Sequence, residues 1–250
     1  MALTKLPQRL IARLRPGHVL TALRWEAALQ IRHQIYSGTA MAAVLSFGLI
    51  TLLPDAIVRE RGALVPLVVL VNLQVTTFFF ASALVTIDRA QGVIGALLTT
   101  PERVSRYLWV RALALSALGT GETAFIVFVA IGPDHEWRWF VAGAGLLSFI
   151  YALVGMAIVA TYAEFRSFLR ASPTWVFAFS LPLLGSVHLL PGWLFLWHPV
   201  KPALILIEGS ARAVSSSAVV YGILAGIVSC SVAFRLAKSR LLALGPPEGI

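Results

Sequence analysis

Three polar side chains interrupt apolar sequence deeply enough to carry chemistry. Asn72 and Gln74 sit in LVPLVVLVNLQVTTFFF, and Glu122 sits in ALGTGETAFIVF. An ionised acid at the centre of a lipid-embedded helix costs on the order of 3 kcal/mol or more, so something must offset it. Two readings follow. In one, Glu122 faces a wet cavity between subunits and helps to bind or pass substrate. In the other, it is protonated and hydrogen-bonded to Gln74 or a threonine, holding two helices together. Asn72 and Gln74 face the same choice between substrate pathway and interhelical glue.

Other chemistries fail on spacing. No G-x-x-x-x-G-K-[ST] phosphate loop is present, so the chain has no ATPase site of that kind. His135-Glu136 opens like a zinc-protease motif, but Trp139 stands where the second ligand belongs. Ser186 and His188, two residues apart on a helix, point in different directions and make no nucleophile–base pair. The histidines at 18, 33, 135, 188 and 198 lack ligand spacing. The single cysteine, Cys230, excludes an intrachain disulfide and a Cys-based metal cluster. Neither catalytic nor metal-binding residues are expected, and no cofactor in this chain.

The elements that must position these residues are membrane helices. The chain has 250 residues, 58% hydrophobic and 12% charged, with a mean hydropathy of +0.85. Soluble domains carry about 25% charged residues. The apolar runs are long and continuous rather than alternating, which selects helices over a barrel. The formal charge of +9 fits basic residues flanking membrane spans better than nucleic-acid binding, since no basic stretch is interleaved with stacking residues. Residues 1–34 contain no apolar core of a cleavable signal peptide.

Six spans are expected near 35–54, 63–86, 106–131, 139–162, 173–190 and 213–234, giving an all-α, polytopic fold with a permease-like membrane domain over 35–236. With the N-terminus inside, the cytoplasmic side collects fifteen Lys and Arg, and the outer side five: Arg59, Arg61, Arg138, Lys201 and Arg212. That bias places both termini in the cytoplasm. All seven tryptophans fall near expected span ends or outside them. In residues 1–34, Leu20, Leu23, Ala27 and Ile31 share one helical face and Glu26, Gln30 and His33 lie off it, as in a helix lying along the inner leaflet. Residues 189–212 are apolar but broken by Pro191, Pro199 and Pro202, which predicts short re-entrant helices on the outer face rather than a seventh span. Residues 237–250 read as a cytoplasmic tail. Gly222 and Gly226 form G-x-x-x-G, which permits close helix contact.

Between the second and third spans lies IDRAQGVIGALLTTPERVSRYL, too short to cross a bilayer and too regular for a loop. Its spacing predicts a short helix over 88–101, with Arg89, Gln91 and Thr99 towards water and Ile94, Leu97 and Leu98 towards the membrane or bundle. Gly92 permits a bend or close approach, and Pro101 ends the helix. A helix tied to two spans and open to a soluble partner can turn a push into tilting of the spans.

The stretch IDRAQGVIGALLTTPERVSRYLWVRALAL resembles the signature of ABC-2-type permeases. An acidic-basic pair, Asp88-Arg89, precedes Gly92; Leu97-Leu98 and Thr100-Pro101 follow; Tyr107-Leu108 and Arg111 open the third span. RWEAALQIRHQIYSG before the first span and Gly155 in ALVGMAIVA extend the likeness, which is closest to small permeases of bacterial drug exporters of the fluoroquinolone-export type. Gln91-Gly92-Val93 stands where such permeases often carry Glu-Gly-Thr, weakening the local charge. The resemblance implies a type V exporter-like permease in the bacterial cytoplasmic membrane, paired with a like or unlike permease subunit. ATP and Mg²⁺ would sit on separate ATPase subunits docked from the cytoplasm. The 88–101 segment would be the coupling helix, with Asp88, Arg89, Gln91, Gly92, Leu97, Thr100 and Pro101 as its working residues, and the N-terminal helix a second docking element. A stand-alone proton-coupled transporter using Glu122 is the alternative.

Overall fold

In the computed structural model the described residues are 16–32, 34–53, 61–99, 101–187 and 189–245, and they are helical with no strand among them. In chain order, α1 is Pro16–Arg32 and α2 is Ile35–Thr51. A continuous helix, α3, joins Arg61–Leu73, a π-helical segment Gln74–Phe79, and Phe80–Ala90. Then come α4 Val93–Leu98, α5 Pro101–Ala130 and α6 Trp137–Val159. The chain continues with α7 Phe165–Ser180, α8 Leu183–Ser186, a 3₁₀ turn Gly192–Phe195, α9 Lys201–Ala211 and α10 Ser216–Leu242.

Helix α6 is the pillar of the bundle. Of its most apolar window 78% is buried, against 17% for α10. Glycines let neighbours close on it. A Cβ at Gly155 would lie 2.4 Å from the Phe78 carbonyl oxygen, and one at Gly143 would lie 2.8 Å from the backbone nitrogen of Ile207. The G-x-x-x-G pair is spent inside the chain: Gly222 packs on Leu206 and the Pro202 carbonyl of α9, and Gly226 on Leu146 of α6.

Among the described residues, four helices are long and apolar enough to cross a membrane: α3, α5, α6 and α10. A fifth crossing arises if α1 and α2, bent by 71° on either side of Gln34, count as one. Helix α2 alone has 17 residues, about 26 Å at 1.5 Å per residue against a hydrocarbon core of about 30 Å. Where a span is expected at 173–190, the described residues hold no single helix of spanning length: the 16-residue α7 ends at Ser180 and the four-residue α8 follows. Pro173 lies within α7, and the Leu169 carbonyl that its missing N–H would have served accepts the Ser172 hydroxyl at 2.8 Å. At Pro182 the Ala178 carbonyl accepts the Leu181 N–H instead, at 3.3 Å, a tightened last turn, and the helix breaks at Leu181-Pro182 before the short α8 resumes.

Two further boundaries differ from expectation. The helix expected over 88–101 is divided. Asp88 and Arg89 belong to the last turn of α3; Gly92, at φ +74°, ends it in the left-handed conformation that glycine favours; and α4 keeps six residues. The last span outlasts its apolar run and carries Arg235, Lys238 and Arg240 on helix, so the expected tail at 237–250 begins as helix through Leu242. The broken segment 189–212 does form short helices, and α9, with 11 residues, is too short for a seventh span.

Candidate functional site

Three signature residues of the 88–111 stretch, Asp88, Tyr107 and Arg111, meet in one place. Arg111, 3% exposed on α5, donates from Nε to Glu26 Oε1 of α1 at 2.9 Å and pairs through its Nη1 with Asp88 at the end of α3. Tyr107, one turn before Arg111, donates to Asp88 Oδ2 at 2.7 Å and accepts from Arg111 at 2.8 Å. Glu26 and Asp88 are each 7% exposed. Two buried carboxylates thus share one guanidinium and tie α1, α3 and α5 at a single joint. Buried charges persist only when paired and hydrogen-bonded, and every member here is.

This joint corrects the reading of the N-terminal helix. Glu26 and Gln30 face the bundle, while Trp25 and Ile31 are 70% and 64% exposed. Leu23 and Ala27 are half-buried. Glu26 turns inward because Arg111 demands a counter-charge, and of the described residues on the expected apolar face only Ile31 is exposed. The side chain of Leu20, and His33, lie outside the described residues.

Around the joint, the expected coupling residues separate by role. Arg89 and Gln91 are exposed, and Arg89 donates to the Tyr162 carbonyl at 2.9 Å, linking the end of α3 to the α6–α7 connection. Gly92 is exposed at the turn. Leu97 and Leu98 pack against the core, and Ile94 is buried within it. Thr100 and the Pro101 side chain lie outside the described residues. Among the described residues no group of three metal-ligating side chains occurs.

The deep polar residues do not form one cluster. Gln74, in the π-helical segment, reaches Ser180 Oγ at 3.1 Å, the Val176 carbonyl at 3.3 Å and the Tyr151 hydroxyl at 3.4 Å. It ties α3 to α6 and α7, which is the glue reading, and its bond to Glu122 is not made. Asn72 donates to Thr123 Oγ1 at 2.8 Å and accepts from Ser46 at 3.4 Å, joining α3 to α5 and α2. Neither carboxylate oxygen of Glu122 makes a hydrogen bond of normal geometry, although both are buried and Asn72 is a polar neighbour. Glu122 instead lines a cavity of about 530 Å³ between α2 and α5.

A second charged cluster lies on α9. Glu208 accepts from Ser186 at 2.5 Å, from Arg212 at 2.6 Å and from Lys201 at 3.4 Å. Burial alone would raise its pKa, but the Lys201 ammonium and the Ser186 and Arg212 hydrogen bonds outweigh burial and hold it below the ordinary carboxylate value.

Reading by sequence missed Glu26, Tyr107, Arg111, Lys201 and Glu208 as site residues. Usable signals existed. Glu26 is the lone acid among the basic residues of the first 34 positions, and Tyr107 and Arg111 are four apart on one helix face.

A family model described as the fluoroquinolones export permease protein family matches residues 17–242. Two relatives from Mycobacterium tuberculosis, of strains CDC 1551 / Oshkosh and ATCC 25618 / H37Rv, are each named a fluoroquinolones export permease protein. Each is 24% identical to this chain over 222 residues, 86% of this chain and 92% of the relative.

Proposed function

The chain belongs to the fluoroquinolones export permease family, and from that premise we propose that it is the permease subunit of an ATP-driven ABC-2-type exporter. It moves a lipophilic or amphipathic drug-like substrate out across the bacterial cytoplasmic membrane. A second permease subunit completes the pathway, and separate ATPase subunits, binding ATP and Mg²⁺, supply the energy.

The observation that carries this reading is the joint of Glu26, Asp88, Tyr107 and Arg111. It fixes the N-terminal helix, the end of α3 and the start of α5 as one body. Beside it Arg89 and Gln91 are exposed for a partner. A push on α4 therefore reaches two long helices together, without being absorbed by a loose loop. Leu97 anchors α4 to the bundle, and the Gly92 turn sets its angle.

Both termini are cytoplasmic in this reading, and the chain crosses six times. Helix α2 and the α7–α8 pair then cross as short spans, matched by local thinning of the bilayer at a fraction of a kcal/mol per Å. Cysteine labelling tests this arrangement: a reporter at 135 labels from outside, and one at 245 only after permeabilisation. External labelling at 245 would sink it.

The deciding experiment is reconstitution with a phosphate-loop ATPase subunit that co-purifies. Arg89→Glu with Gln91→Ala should lower substrate-stimulated ATPase activity and ATPase pull-down by about tenfold, leaving the bundle folded because both side chains are wet. No change in either readout removes α4 as the coupling element. The unpartnered Glu122 carboxylate favours one second reading, a proton-coupled transporter acting alone. Export by the chain without any ATPase, abolished by a protonophore, would select it.

A further inference from the structure

We propose that the cavity between α2 and α5 is a binding site for a lipophilic organic cation, with the Glu122 carboxylate as its counter-charge. The proposal rests on the export-permease reading and names the substrate class. The cavity, about 530 Å³, is the size of a pocket for one drug-like molecule. Its wall is apolar: Ala43, Val44 and Phe47 from α2, with Phe125 and Val129 from α5, surround Glu122. No Lys, Arg or His is among the described lining residues. The Thr39 hydroxyl, also at the wall, is committed to the Tyr36 carbonyl at 2.9 Å.

Charge decides the occupant. A buried carboxylate without a donor is costly unless a cation joins it. The Asn72 amide, the polar group next to it, spends one N–H on Thr123 and its oxygen on Ser46, and its second N–H approaches the carboxylate without normal hydrogen-bond geometry, too little to balance a full charge. An anion would add repulsion, and a neutral apolar guest would leave the carboxylate unsatisfied. A cation sheathed in aromatic or aliphatic groups satisfies both the wall and the acid, and Phe47 and Phe125 put aromatic side chains in that wall, a type of group that attracts positive charge. Access is sideways. Val44 and Phe125 at the wall are 70% and 65% exposed, on an apolar surface that lipid would cover. A guest dissolved in the bilayer therefore enters without crossing a polar rim.

The test uses the full chain in nanodiscs of zwitterionic phosphatidylcholine, so that lipid charge does not concentrate the probe. Equilibrium binding is measured for tetraphenylphosphonium, a lipophilic monocation, and for triphenylphosphine, its neutral analogue. The wild-type chain should prefer the cation, and Glu122→Gln should weaken cation binding by about tenfold while leaving the neutral probe unchanged. Glu122→Asp should keep most of the cation affinity. Ala43→Trp, filling the cavity, should lower binding of both probes. Circular dichroism and size-exclusion profiles matching wild type exclude misfolding as the cause. Cation binding by Glu122→Gln within twofold of wild type overturns the proposal. So does efficient disulfide cross-linking between copies through Ala43→Cys in a Cys230→Ser background, because the cavity would then be covered by a second copy. Binding requires no ATPase, so a chain that binds the phosphonium yet never couples to ATP hydrolysis would refute the exporter reading alone.

Discussion

Helix α5 carries two charged side chains three turns apart, and the molecule treats them in opposite ways. Arg111 is surrounded: Glu26, Asp88 and Tyr107 all reach it. Glu122 is left alone against an apolar wall. Both are costly to bury, so the difference lies in what balances the charge. At Arg111 the chain supplies the balance itself, which makes a rigid joint. At Glu122 the chain withholds it, which leaves a place for something that arrives from outside. A fully partnered charge organises a fold; an unpartnered one selects a ligand.

The strongest way to break the comparison is Arg111→Met. It leaves Glu26 and Asp88 facing each other without a cation, and removing one partner of a buried set costs about 3–5 kcal/mol. A sharp fall in the yield of monodisperse protein and in its thermal midpoint is expected. Neutralising the set together, with Glu26→Gln and Asp88→Asn added, should recover much of the loss. If the single variant is as stable as wild type, the joint does not hold α1, α3 and α5.

Acid titration separates a third case, Glu208, which is partnered by Lys201 and Arg212. Its folded pKa lies below the ordinary value, so the unfolded chain binds the proton more readily. The stabilisation is present above the unfolded carboxylate pKa of about 4.3 and is lost as pH falls through the lower folded value. Thermal midpoints should drop below about pH 4.3, and Glu208→Gln should flatten that acid limb while lowering stability at neutral pH. An unchanged acid limb would show that Glu208 does not govern it.

Tyr107→Phe sharpens the contrast more finely. It removes a hydroxyl shared by Asp88 and Arg111 while keeping the ion pair, and should cost about 1 kcal/mol, read by chemical denaturation. The smallest effect is expected at Glu122 itself. Glu122→Gln should lower stability by no more than about 0.5 kcal/mol and can raise it, because no internal bond is lost and an uncompensated charge is removed. A large destabilisation would mean that the carboxylate has a structural partner after all, and the two regions would cease to differ.

Much of this was legible in the sequence, with the failures grouped by cause. The long apolar helices α3, α5, α6 and α10 followed from run length alone, because lipid imposes it. Glu122 stood out because its neighbours are apolar. The joint was missed because hydropathy reasoning assigns every charge to water. Arg111 was counted as a topology signal and Glu26 as the wet side of a surface helix. The helix at 88–101 was drawn through Gly92 because its apolar spacing continues across it, whereas the left-handed turn there is a backbone preference that spacing does not register. The cavity needs α2 and α5 side by side, a tertiary fact that neither helix encodes by itself.

The π-helical segment Gln74–Phe79 sets the phase of α3 like an offset in a crankshaft. Each residue of an α-helix advances the side-chain direction by about 100°, and a π turn holds one residue more than an α turn. Upstream of the offset, Asn72 aims at Thr123; downstream, Asp88 aims at Arg111; both targets lie on α5. Deleting a single residue from the segment would close the offset to a plain α-helix and keep Asp88 in phase, because the residue that ends a π turn stands where the residue that ends an α turn would. Inserting one residue between the segment and Asp88 would instead swing Asp88 by about 100°, out of line with its guanidinium. A one-residue insertion here, invisible to hydropathy, is therefore expected to disconnect the joint nearly as completely as losing Arg111.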